Sequence, residues 1–168
     1  STARPVQKIV RVQGQVEAVR VLSLKSEVEG RVEDLPLIEG QRVEAGETIV
    51  SLAADHRPAQ VEEMKARLRQ RESELNAAEK LLQRGLGSEN DVIRQRAELA
   101  SAQASLEQMQ FQLTHTRIEA PFDAVLNRLR VEQGDYVDKA QIVAELVDDH
   151  TLIAVSYTHL RAHETSSN

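Results

Sequence analysis

Cysteine is absent from the 168 residues, so neither a disulfide nor a thiolate metal site can form, and this absence suits the periplasm and the cytosol equally. No apolar run approaches the roughly 20 residues of a membrane-spanning helix. The opening Ser1-Thr2-Ala3-Arg4-Pro5 carries no signal-peptide pattern and reads as the middle of a longer chain. Basic clusters are missing as well. The 21 Lys and Arg are outnumbered by 27 Asp and Glu, for a formal charge of −6. Phosphate contacts need concentrated cations, which argues against nucleic acid or an anionic membrane as the main partner. There is no Ser-His-Asp set, no phosphate loop and no paired-carboxylate pocket. Asp123 and Glu119 flank Pro121, but Asp123 matches Glu29 in the repeat described below, which suggests a turn role. The chain reads as no enzyme.

What is present begins with Pro58 to Thr114, which reads as two long helices folded back on each other. Val61, Met64, Leu68, Leu75, Ala78 and Leu82 recur at heptad spacing. So do Val92, Leu99, Ala102, Leu106, Met109 and Leu113. Side chains so spaced line one narrow stripe, which two antiparallel arms can bury against each other. Leu68 then lies near Leu106, and Leu75 near Leu99. At about 1.5 Å per residue each arm reaches roughly 38 Å. Arg71 and Gln95 interrupt the stripe at d positions; either they mark register or a contact to another chain, or long side chains simply snorkel from a narrow seam. Between the arms lies Arg84-Gly85-Leu86-Gly87-Ser88. Its glycines stop the first helix, Ser88 caps the second, and Asp91 is placed to close a capping box.

The flanking segments are twins. A shift of 94 residues lays Leu24 to Leu52 on Ile118 to Leu146 without a gap, bringing Val32 onto Leu126, Val43 onto Val137 and Ile49 onto Val143. The last sites of each copy fall every third residue: Gly40, Val43, Gly46, Ile49, Leu52 and Gly134, Val137, Ala140, Val143, Leu146. Neither a long helix nor a long strand has that period. Short strands joined by tight turns do, with Gly supplying the positive φ. The repeat predicts two similar halves about a pseudo-two-fold axis, each too small to be stable alone. The fold class is α+β. Alternating residues from Val6 to Leu24, and again Thr151 to Val155, read as strands of a second β-module, with Gly14 a bulge or turn.

Two half-motifs around a helical hairpin, the second opened by Ala120-Pro121-Phe122-Asp123-Ala124-Val125, resemble the periplasmic adaptor (membrane fusion, HlyD/AcrA-like) proteins of tripartite efflux pumps. The resemblance covers about residues 6 to 155; position 124, commonly Gly in the family, is Ala here. It implies a split lipoyl-like β-sandwich, or barrel-sandwich hybrid, with an inserted coiled-coil hairpin and part of a β-barrel domain. The expected domains are residues 1–23, first strands of an incomplete barrel; 24–52, lipoyl-like half 1; 53–117, hairpin; 118–147, half 2; and 148–155, a return strand to the barrel. Gly30, Gly40, Gly46, Ala124, Gly134 and Ala140 are its expected lipoyl-like turn residues. The resemblance further implies an inner-membrane transporter, an outer-membrane channel of the TolC type, and self-association from trimer to hexamer. The location implied is the periplasm, with an inner-membrane anchor on a preceding segment. No cofactor is implied.

In this family a spaced Arg, Leu and Ser at the hairpin tip meet the channel. Leu81 and Ser88 fall on the Leu and Ser positions, while the Arg position falls on Ala77, leaving Arg84 as the available substitute. The expected docking tip is Leu81, Arg84, Gly85, Leu86 and Ser88. Residues 156–168 resemble a stretch found at the ends of unrelated translated assemblies and are expected to be non-native. In that tail His159 and His163 stand at i and i+4, but no third metal ligand is visible. Two other classes are compatible with parts of the pattern. A lipoyl or biotinyl carrier presents a lysine at the junction of its halves, where this chain has the hairpin instead; Lys139 sits in another turn, matched by Ala45. The other is a coiled-coil scaffold, or an adaptor of an ABC or type I secretion exporter. Because secretion adaptors often carry longer rods, a transporter of the resonance–nodulation–division (RND) type is preferred.

Overall fold

The computed structural model describes residues 20–148. The strands expected before residue 20, the Thr151–Val155 strand and the tail of residues 156–168 lie outside the described residues. Eight strands and two helices follow in the order β1 (Val21–Lys25), β2 (Gly30–Asp34), β3 (Arg42–Val43), β4 (Thr48–Leu52), α1 (Arg57–Gln83), α2 (Glu89–Thr114), β5 (Arg117–Glu119), β6 (Ala124–Leu129), β7 (Tyr136–Val137) and β8 (Ile142–Asp148).

The strands form two four-stranded sheets, ordered β1-β8-β6-β3 and β5-β4-β2-β7. Adding 94 to the residue numbers carries β2 onto β6, β3 onto β7 and the start of β4 onto that of β8. Exchanging twin for twin also converts one sheet order into the other. The pseudo-two-fold axis is therefore real, and hydrogen bonds obey it one by one. Gly40 N–H donates to Leu126 O at 2.7 Å, and its twin Gly134 to Val32 O at 2.9 Å. Gly46 N–H donates to Ala120 O and Ala140 N–H to Ser26 O, both at 2.8 Å. Each half thus completes the other's ladder, which is why neither is a domain alone. The core is built from the same twins: Val32, Val43, Ile49 and Leu52 with Leu126, Val137, Val143 and Leu146 are all essentially inaccessible. Burying each such side chain stabilises by about 1.5–3 kcal/mol.

The period of three is explained by four matching turns. In residues 38–41, 44–47, 132–135 and 138–141 the fourth N–H donates to the first carbonyl. The fourth side chain also accepts from the first N–H: Gln41 from Ile38, Glu47 from Glu44, Asp135 from Glu132 and Gln141 from Asp138. The third residues, Gly40, Gly46, Gly134 and Ala140, carry φ of 87°, 85°, 93° and 68°. Two-residue strands separate the turns within each half.

Two sequence expectations need correction. Gly30 and Ala124 are not turn residues; they open β2 and β6 and are buried. A Cβ on Gly30 would make only an ordinary contact, 3.5 Å from Leu52 Cβ, in keeping with alanine at its twin; Ala124 has no accessible surface, so a side chain larger than alanine would press on the core at either position. The boundary between residues 23 and 24 also falls inside a strand. β1 pairs continuously with β8 from Val21↔Val147 to Lys25↔Ile142, so residues 21–23 belong to the sandwich rather than to an incomplete barrel. Likewise β8 runs through Asp148, past the expected end of half 2. The repeat marks where the halves look alike, whereas hydrogen-bond pairing decides where a strand begins.

Candidate functional site

The hairpin stands on the sandwich by both arms. Pro58 sits in the first turn of α1, where its missing N–H costs nothing, after Asp55 turns the chain at φ 48°. Arg57 ties α1 down, its Nη2 donating to Glu29 O at 2.6 Å and its Nη1 to Ala53 O at 3.2 Å. At the other arm the buried Thr116 closes α2 with Oγ1 on Leu113 O at 2.7 Å, and its own carbonyl accepts from Leu52 N–H. Asp123 Oδ1 accepts from Ala45 N–H at 2.9 Å, which accounts for the acid in the Ala-Pro-Phe-Asp stretch as a brace between the halves.

Along the rod, the expected seam residues Val61, Val92, Ala102 and Leu106 are buried and the others half-buried. Arg71 leaves the seam sideways to Glu98 at 2.6 Å on the opposite arm, and to Glu74 at 2.7 Å on its own. Nearer the tip Arg96 pairs with Glu79 at 3.0 Å across the arms. These cross-arm pairs agree with the antiparallel register that the seam sets. Gln95 is half-buried, and its Oε1 has no hydrogen-bond partner among the described residues.

At the tip, α1 ends in a Schellman arrangement: Leu86 N–H donates to Leu81 O at 2.9 Å and Gly85 N–H to Leu82 O at 3.0 Å, with Gly85 at φ 73°. Gly87 is required by contact instead, because a Cβ there would lie 3.0 Å from Leu82 N. Ser88 Oγ accepts from Asp91 N–H at 3.1 Å and so caps α2. Asp91 does not complete the box backwards; its carboxylate reaches forward to Arg94. The end of α1 and the start of α2 are thus both capped, while the large side chains of the turn stand in solvent. Leu86 is 75% exposed and Leu81 47%, with Arg84 in solvent beside them. All five expected docking residues stand together on this one rigid end. Sequence reasoning missed Ile93, 62% exposed on the first turns of α2. Its signal was available, as a large apolar residue outside the heptad stripe.

Lys139 lies exposed in the 138–141 turn, where it lines a surface hollow with Glu29, Arg57 and Phe111 at the foot of the hairpin. Among the described residues no cluster of three or more His, Asp or Glu is placed to hold a metal ion. No described helix is long and apolar enough to cross a membrane.

A split sandwich interrupted by a tied, two-helix rod defines the membrane fusion proteins, and the chain belongs to this family: residues 20–149 match the family model described as "RND MFP, barrel-sandwich hybrid domain". Among curated relatives it is 30% identical to uncharacterized protein YdhJ of Escherichia coli over 159 residues, covering 86% of this chain and 55% of that protein. It is 26% identical to the multidrug resistance protein MdtA of Pantoea ananatis, covering 87% of this chain and 37% of that one. A solved structure of a putative efflux transporter from Bacteroides eggerthii superposes with a TM-score of 0.76 at 26% identity, over 79% of this chain and 41% of that one. A MacA–MexA chimera carrying the Pseudomonas aeruginosa MexA α-hairpin superposes at 0.71, with 19% identity, over 79% of this chain and 49% of that one, which speaks for the fold. The chain spans about half or less of the length of these relatives.

Proposed function

We propose that the chain is the sandwich-and-hairpin part of a periplasmic adaptor that links an inner-membrane transporter to an outer-membrane channel of the TolC type. It works without catalysis, as a rigid spacer whose tip docks on the channel. The observation that carries this reading is the tip itself: a turn closed by the Gly85 and Leu86 N–H bonds and the Ser88 cap, presenting Leu81, Leu86 and Arg84 to solvent. A rigid apolar knob beside a cation loses little conformational entropy on binding. Ser88 keeps its O–H free to donate outward, because its oxygen already serves the cap as an acceptor. A transporter of the RND type is preferred over an ABC or type I exporter, supported by the wording of the matching family model. Membership in this family also favours an adaptor over a carrier or scaffold.

The test is binding of the chain to an immobilised outer-membrane channel of the TolC type, beside Leu86→Glu. Leu86 makes so little contact with its own chain that the variant is expected to keep its helix signal in circular dichroism while losing at least about tenfold in affinity, as a central apolar contact does. Unchanged binding by Leu86→Glu, or no binding by the parent chain, would overturn the docking role.

A further inference from the structure

The hollow at the foot of the hairpin is explained by neither the seam nor the tip. Its volume is about 480 Å³, and three parts of the chain wall it. Arg57 comes from the first turn of α1, Gln108, Phe111 and Gln112 from the last turns of α2, and Glu27 to Glu29 with Lys139 from the sandwich. A hollow of this size suits a small organic molecule.

Its cations are short of acidic partners. Arg57 is half-buried, and its guanidinium donates to two carbonyls, Glu29 O at 2.6 Å and Ala53 O at 3.2 Å, but to no carboxylate among the described residues. Carbonyls hold the fork in place without neutralising its charge, and its remaining N–H groups stay available. Lys139 is exposed and likewise has no carboxylate partner among the described residues. Glu27 and Glu29 also line the hollow, but both are exposed and water screens them. The field of a half-buried guanidinium is screened less. The N-terminus of α1 and the C-terminus of α2 both lie at the foot, where their opposite partial charges offset each other.

Phe111 supplies the apolar part. Its ring stacks on His115 with centroids 3.8 Å apart and planes inclined by 26°, yet the residue is 45% exposed. The stack holds the ring in place, so a flat ligand meeting it costs little further ordering. Val28, 6% exposed, adds apolar surface to the same hollow. Gln108 and Gln112 stand one turn apart on one helix face and bring amide donors and acceptors.

We propose that this hollow binds a small aromatic anion of the arylcarboxylate class, its carboxylate on Arg57 and Lys139 and its ring continuing the Phe111–His115 stack. A guanidinium fork matches a carboxylate in geometry as well as in charge. Such an occupant touches both helices and the sandwich at once, and so braces the rod where it leaves its base. The inference does not rest on the docking reading, because the site lies at the opposite end of the rod from the tip.

The chain has no tryptophan, so the fluorescence of a naphthalene probe stands clear of the protein's own. Binding of 2-naphthoate to the whole chain is measured by equilibrium dialysis. Two comparison ligands displace it: 2-naphthylmethylammonium, with the same ring and opposite charge, and octanoate, with the same charge and no ring. Naphthoate is expected to bind saturably, the ammonium at least about tenfold more weakly, and octanoate about threefold to tenfold more weakly. Lys139→Gln and Phe111→Ala should each weaken naphthoate binding about threefold to tenfold, and Arg57→Gln should weaken it most. Because Arg57 also ties down α1, the other two variants carry the test if Arg57→Gln misfolds. Lys80→Gln removes the same charge far from the hollow and should bind as the parent does. No saturable naphthoate binding would overturn the proposal, as would equal binding of either comparison ligand. So would unchanged binding by both Lys139→Gln and Phe111→Ala with the helix signal intact, or equal weakening by Lys80→Gln. All of these are read without the channel, so this inference and the docking role fail separately.

Discussion

Ala140 holds φ 68° in a turn whose twin uses Gly46 at φ 85°. An L-residue with a Cβ is strained there, and glycine is not. Ala140→Gly is therefore expected to stabilise the chain by about 0.5–1 kcal/mol, read as a higher urea midpoint; the unfolded-state entropy of the new glycine limits the gain. Gly87→Ala should act in the opposite direction, loosening the tip, because its Cβ would meet backbone at 3.0 Å. In the core, Leu146→Ala should cost about 2–5 kcal/mol. Leu52→Ala should cost a similar amount, since the two are twins and both are sealed. Denaturant melts of both variants check the symmetry directly. Smallness at Gly30, Gly40, Ala124 and Gly134 was legible in the sequence, and so was its cause at Gly40 and Gly134, where φ is positive; at Gly30 and Ala124 the cause was not. A small residue answers either a positive φ or a close neighbour, and only the sheet register separates Gly40 and Gly134 from Gly30 and Ala124. The cap was read correctly at Ser88, with Asp91 N–H as its donor, but the return bond was not, because the acid of Asp91 can turn back to Ser88 or forward to Arg94.

At the scale of elements, the hairpin was the most legible part. Heptad spacing, two glycines and a serine are enough to place both helices and the turn. Ile93 escaped because a heptad reading looks only at the stripe it finds. The strand β1 was misplaced for a related reason: the likeness between halves starts at Leu24, while its pairing with β8 starts at Val21. The ion pairs of the rod make a pH prediction. Hydrogen bonds from Gln70 and Arg71 hold the Glu74 carboxyl below its ordinary value, and Arg130 does the same for Glu145 in the sandwich. Depressed carboxylates bind fewer protons folded than unfolded. Their stabilisation is therefore complete above the unfolded value of about 4.3 and is lost as pH falls through the lower folded values. The thermal midpoint should be flat in this respect from pH 8 to 6 and fall below about pH 4. Glu74→Gln should flatten the acid limb. A double-mutant cycle on Arg71 and Glu98 should return a favourable coupling that shrinks with added salt, as expected of a partly exposed pair across the arms.

The whole molecule divides labour between its parts. The twin halves need each other to complete their sheets, so the two ends of the inserted rod are held by one small core, with Arg57 and Thr116 clamping the two arms. Under the proposed function, the clamped base and the capped turn at the tip would let about 40 Å of helix act as a spacer. The measurement that tests this account most directly is hydrogen exchange on the chain, alone and bound to an outer-membrane channel of the TolC type. The account predicts new protection confined to residues 81–93, with the sandwich turns at 38–47 and 132–141 unchanged. Protection in the sandwich turns with none at the tip would contradict it.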